Sequence, residues 1–152
     1  MQTLQIDGNN ARKLYPSASA EFKTMLEDSF GKSFFSLKIT DRVQSVEDAL
    51  SIIGKKLSDV ISCNDRKDVA AYKVMTEVIA VLNEEWEADY SNSNQVKYEP
   101  RFYDYGSRLV FGSVNVWSSA SNVGSRLCYR SPDILRHGVK ILEKYYSDFL
   151  NK

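Results

Sequence analysis

WEADYSNSNQVKYEPRFYDYGSRLVFGSVNVWSSASNVGSRLCYR, residues 86–130, decides the fold of this 152-residue chain. The stretch holds nine of the eighteen aromatic residues and both tryptophans, so a large share of the available core and surface chemistry sits in it. After the polar loop YSNSNQ it offers three strand-like runs, Lys97–Asp104, Arg108–Trp117 and Ser125–Arg130. Tyr105-Gly106 supplies a tight turn between the first two, and the Ser- and Asn-rich segment 118–124 a longer connection to the third. Pro100 cannot donate to a ladder, which assigns the first run to an edge or turns that side of Pro100 outward. Strict alternation would put Val110, Gly112, Val114 and Val116 on the core face of the middle strand. Leu109, Phe111, Ser113, Asn115 and Trp117 would then take the other face.

Working outward, helices flank this sheet. Upstream, Ala71, Val74, Met75, Val78, Ile79, Leu82 and Trp86 trace a wide apolar face in a run from Asp65 to Trp86 without Gly or Pro. This is the expected spine of the core. Its end is acidic (Glu77, Glu84, Glu85, Glu87, Asp89), opposing the helix dipole unless basic groups approach or solvent screens it. Earlier, Ser45 and Asp48 form a start signal for a helix burying Val46, Ala49, Leu50 and Ile53 and stopping at Gly54. Earlier still, Pro16-Ser17 opens a helix with Phe22, Met25, Leu26 and Phe30 on one stripe, ended by Gly31. Downstream, Ser131-Pro132-Asp133 begins a final helix to Leu150 that buries Leu135, Val139, Leu142, Tyr145, Tyr146 and Phe149. Gly138 in mid-helix costs about 1 kcal/mol against Ala and marks a close approach to another element. The order predicts a single α+β domain over residues 1–152, a three- or four-stranded antiparallel sheet packed on about four helices. Residues 1–16 form an N-terminal arm or, at Thr3–Asp7, an edge strand.

Composition narrows the function. Hydrophobic residues at 43% and charged ones at 26% describe a globular chain rather than a disordered tail. Twenty basic residues balance twenty acidic ones, so no global field draws the chain to nucleic acid or anionic membrane. The start shows no signal-peptide pattern, and no stretch nears the roughly 20 apolar residues of a membrane span. Cys63 and Cys128 are expected to be free thiols. One histidine and two distant cysteines match no zinc spacing, and no cofactor or metal is expected. His137 lies among Arg136, Lys140 and Asp133 and reads as an exposed surface histidine; a catalytic constellation does not emerge.

Binding is the better prospect. Between Lys97 and Arg130 five basic residues meet two acids. Were Arg101, Tyr103, Phe111, Trp117, Arg126 and Arg130 to share a face, they would form a basic, aromatic platform of the type that stacks single-stranded bases. Alternatively both sheet faces are buried and the arginines pair with the acidic run near Trp86. The turn Asn122-Val123-Gly124-Ser125-Arg126 is either structural, with glycine at a positive φ, or a binding loop.

The runs NEEWEADYSNSNQVKYEPRF, VNVWSSASNVGSRLCYRS, YYSDFL and ITDRVQSVEDALSIIG resemble a set of small proteins encoded by phages and prophages of gut bacteria. The resemblance covers the chain from about Ile39 onward. It is carried by Asn83, Trp86, Asp89, Asn92, Asn94, Tyr98, Gly124, Ser125, Arg126, Leu127 and Cys128. It implies a phage or mobile-element origin, a place in the bacterial cytoplasm or the virion, and no mechanism. Together these readings predict a non-enzymatic accessory protein that contacts a host or phage protein, with a single-stranded nucleic-acid binder as the alternative.

Overall fold

The computed structural model describes residues 6–106 and 108–150. Its helices are α1 (Gly8–Leu14), α2 (Ala20–Phe30), α3 (Lys32–Ser36), α4 (Ile39–Arg42), α5 (Val46–Ile52), α6 (Leu57–Val60), α7 (Lys67–Asn83), α8 (Pro132–Ile141) and α9 (Glu143–Leu150). Strands β1 (Lys97–Asp104) and β2 (Leu109–Trp117) form the sheet, and short 3₁₀ turns cover Tyr15–Ser17 and Ser125–Leu127. The chain divides into two compact units, Met1–Asp41 and Arg42–Lys152.

The first unit is organised by rings. Tyr15 stacks on Phe35 at 4.1 Å between centroids, Phe34 meets Phe35 edge-on at 5.1 Å, and the Arg12 guanidinium lies 3.8 Å over Phe34. Asp7 caps α1 by accepting from the backbone N–H of Asn9 and Asn10. Of the expected edge strand Thr3–Asp7, residues 3–5 therefore lie outside the described residues and Asp7 begins a helix instead. The stripe on α2 is only partly right: Leu26 is buried, whereas Met25 is half exposed. Ser19, not Ser17, caps α2, because Pro16 and Ser17 are taken up in the preceding 3₁₀ turn.

The second unit contains the sheet and is built around α7, which buries Ala71, Val74, Met75, Val78, Ile79, Val81, Leu82 and Asn83. Helices α5, α6, α8 and α9 all pack on it, which explains why its apolar face is so wide. The Ser45 hydroxyl accepts from Asp48 N–H, while the Asp48 carboxylate accepts from Gln44 N–H, so α5 starts where the sequence signal placed it. The C-terminal helix is broken in two. At Leu142, φ −103° and ψ 9° leave the helical region, and α9 sets off from there with Tyr146 buried and Phe149 half-buried. Gly138 does mark a close approach: the Tyr129 ring fills the space where a Cβ would sit.

Two antiparallel strands, not three or four, make up the sheet among the described residues. The expected third strand shrinks to a single bridge, Tyr98 to Tyr129, with N–H···O distances of 3.0 and 2.8 Å. Gly124 at φ +74° starts a 3₁₀ turn that consumes Ser125–Leu127, so that of the expected strand Cys128 is extended and Tyr129 alone bridges to β1. On the far side of that extended piece lies the Asn83 side chain. Its Nδ2 donates to Cys128 O (2.7 Å) and its Oδ1 accepts from Arg130 N–H (3.0 Å), occupying the groups another strand would need.

β2 also departs from strict alternation. Arg101 is opposite Ser113, but the next residue, Phe102, is opposite Phe111, so Gly112 is an extra, bulged residue. Cross-strand partners share a face, hence Leu109, Phe111, Val114 and Val116 lie together, while Val110 joins Ser113, Asn115 and Trp117. The expected four-residue valine face does not exist, and Val116 is 59% exposed.

Candidate binding clefts

Charged groups buried at the base of β1 set the shape of the site. Lys97 is fully buried, and its ammonium donates to three backbone carbonyls, Asn92 (3.0 Å), Gln95 (2.7 Å) and Ser118 (2.8 Å). A buried cation is tolerable only with such complete satisfaction, and here it ties two loops to the strand. Two residues on, Glu99 is 1% exposed and accepts from the Ser121 hydroxyl and from Asn122 N–H (3.4 Å). Ser121 in turn accepts from Val123 N–H (3.1 Å) and Gly124 N–H (2.6 Å). The Asn122–Arg126 segment is thus a built turn, with Gly124 supplying the positive φ. Cys128 lies behind it with Sγ 2.8 Å from the Tyr90 hydroxyl and donating to Gly124 O at 3.0 Å. Burial pushes its thiol up to about 11, so it is no nucleophile at neutral pH.

The arginine at the end of this segment is committed elsewhere. Arg130 pairs with Glu84, which also faces Arg42 at 3.8 Å. Glu84 ends α7 at φ +57°, a region costly for a residue with a Cβ. The two guanidiniums answer the charge that a carboxylate brings to a helix C-terminus.

Above the cluster a cleft of about 660 Å³ opens between the sheet and the end of α9. Apolar groups (Phe102, Trp117, Leu127, Phe149, Leu150) alternate in its lining with polar ones, including Arg101, Asn115 and Asn122. The Trp117 indole N–H is buried without a hydrogen-bond partner among the described residues. The cleft follows the outer edge of β1. Tyr98 directs its N–H and C=O to Tyr129, so by alternation Phe102 presents its backbone groups on the same side, where no strand continues among the described residues.

Of the residues singled out from sequence, Arg101, Trp117 and Asn122 converge on this cleft. Tyr103, 41% exposed, covers Gly112, with the Arg101 guanidinium 5.2 Å from its ring. Phe111 is on the opposite face, edge-on to Phe102 at 6.0 Å. Gly124 and Arg126 stand in the exposed turn, and Arg130 is held by Glu84. The six side chains of the imagined platform therefore do not share a face; the bulge at Gly112 separates Phe111 from Trp117. Sequence reading missed Lys97, Glu99, Tyr90 and Asn83. The legible signal was alternation itself, which sets Lys97 and Glu99 on one face beside Trp117 and Asn115.

A second groove of about 450 Å³ lies between the hairpin tip and the α8–α9 face. It shares Phe102 and Leu109 with the first. His137 lines neither cleft and is not the exposed histidine expected: half-buried, its Nε2 contacts Val43 O at 2.5 Å, a geometry that requires Nε2 to carry the proton. Cys63 is exposed and also outside both clefts. Both cysteines are free, as expected. Among the described residues no cluster of His, Cys, Asp or Glu is arranged to hold a metal, and no helix is long and apolar enough to cross a membrane. No family model matches the chain, and neither does any curated protein or solved structure.

Proposed function

We propose that this chain is a non-enzymatic accessory protein, derived from a phage or mobile element, that acts through protein–protein contacts. In this reading an extended segment of a host or phage protein lies in the larger cleft along the open edge of β1. The observation that carries it is the unfinished ladder: among the described residues β1 is paired along its length on one side but only at Tyr98 on the other. A cleft of about 660 Å³ begins where pairing stops. Strand addition uses such an edge, with main-chain hydrogen bonds for affinity and neighbouring pockets for side-chain choice. The phage origin rests on the resemblance from Ile39 onward. The test replaces Leu150, which lines the cleft and is 49% exposed, by Glu. A complex recovered from phage-carrying bacterial cells should be lost with Leu150→Glu while the melting temperature stays unchanged. Equal recovery by both proteins refutes the assignment.

A further inference from the structure

The smaller groove, about 450 Å³, has an apolar floor and a basic rim. Phe102, Leu109 and Phe111 come from the hairpin and Val139 from α8. Arg108 stands on the strand side; Arg136, Lys140 and Lys144 line the helix side, and Glu143 is the one acid among the lining residues. In a chain with twenty basic and twenty acidic residues, four cations against one anion is a local excess. Their charge is largely uncommitted. Arg136 reaches Asp133 at 3.5 Å, but both side chains are mostly exposed, so the pair is weak. The Lys144 ammonium lies 5.7 Å from the Tyr145 ring centroid. Arg108, Lys140 and Lys144 make no ion pair among the described residues.

We propose that this groove receives an acidic peptide segment whose carboxylates meet Arg108, Lys140 and Lys144 and whose apolar side chain rests against Phe102, Phe111 and Val139. The proposal rests on the reading above, that the chain works through protein contacts, and adds the chemistry of the partner. Charge complementarity selects the acid, because a like-charged segment is repelled by such a rim. The floor selects a peptide over a nucleic acid. Phe102 and Phe111 pack edge-on at 69°, and Phe102 also leans on Tyr146 at 4.7 Å, so the rings are not aligned into a platform on which successive bases could stack. Continuity fits as well: Phe102 and Leu109 belong to both clefts, so one segment can run from the β1 edge into the basic groove.

The experiment selects displayed random peptides of about twelve residues, a length suited to a strand or groove ligand, on the immobilised full chain. A selected peptide is then fluorescently labelled and titrated by anisotropy. Expected are an Asp- or Glu-rich consensus around an apolar residue and an affinity that falls about tenfold with Lys140→Glu/Lys144→Glu. Binding should also weaken severalfold between about 50 and 300 mM salt. Both lysines are exposed, so the double variant is expected to melt like the wild type. Peptides without acidic enrichment, or unaffected by the charge reversal yet abolished by Leu150→Glu, overturn this assignment and leave the larger cleft standing. Failure to select any peptide overturns both. A labelled oligothymidine that binds with the same lysine dependence and displaces the peptide gives the groove to nucleic acid and also overturns the proposal.

Discussion

Replacing Gly138 by Ala should destabilise the protein, against the ordinary behaviour of a helix-interior glycine. Helix propensity alone predicts a gain of about 1 kcal/mol. A Cβ at this position, however, would lie 2.5 Å from Cε1, 2.7 Å from the hydroxyl and 2.9 Å from Cζ of Tyr129. The ring has nowhere to go. Tyr129 is fully buried, its hydroxyl is 2.9 Å from that of Tyr146, and its backbone is bridged to Tyr98. Overpacking of a closed core costs about 1–3 kcal/mol, and a broken hydroxyl pair adds about 1 kcal/mol. Net of the propensity gain, Gly138→Ala should lose about 1–3 kcal/mol, or about 3–10 °C in melting temperature for a chain of this size. Urea and thermal unfolding measure it directly. A double-mutant cycle with Tyr129→Leu isolates the clash, since with the ring gone the alanine should turn neutral or stabilising. If Gly138→Ala alone raises stability by the propensity increment, the close packing of α8 on Tyr129 is wrong.

Other outcomes follow from the buried polar groups. Asn83→Ala strips the donor from Cys128 O and the acceptor from Arg130 N–H, and should cost about 2–4 kcal/mol. Asn83→Asp should not rescue it, because a carboxylate cannot donate to Cys128 O; amide exchange at Arg130 separates this loss from a general one. Thiol labelling at neutral pH should modify the exposed Cys63 quickly and Cys128 only on unfolding. Stability should also decline in alkali. The folded Cys128 thiol titrates at about 11 because burial disfavours the thiolate, against about 8.5 unfolded, so its contribution is complete below about pH 8.5 and lost as pH rises to 11. Tyr129 and Tyr146, also raised by burial, begin to act above their unfolded value of about 10. Cys128→Ala should therefore delay the onset of the decline from about pH 8.5 to about 10; an onset that does not move refutes the buried-thiol assignment.

Where local chemistry decided the structure, the sequence was legible. The hairpin appears within one residue of its expected bounds, because Tyr105-Gly106 demanded a turn and Gly106 takes φ +82°. The cap of α5 and the proline start of α8 formed as their side chains required. Where long-range contacts decided, local reading failed. Nothing near Ser125–Arg130 announces that an asparagine on another helix will hold its backbone. A single glycine bulge, invisible to alternation, reversed the faces of half of β2 and so dissolved the imagined platform. Arg130 was read as either binding or ion-paired, and only the position of Glu84 chose between them. His137 was taken as exposed because its helical neighbours are polar; the carbonyl it meets belongs to Val43, far away in sequence.

The Asn83 latch also has a bearing on how the protein assembles. Its two hydrogen bonds join residues 45 and 47 positions apart, and they enclose the whole hairpin between their ends. A contact of that span forms only after the entropy of a long closed loop has been lost. The hairpin and α7 can each mature through local contacts; the hairpin then engages the segment at Tyr129 through Tyr98, and α7 engages it at Cys128 and Arg130 through Asn83. Closure of the latch is therefore expected to follow the formation of the hairpin and α7. Substitutions at Asn83 should accordingly quicken unfolding far more than they slow folding.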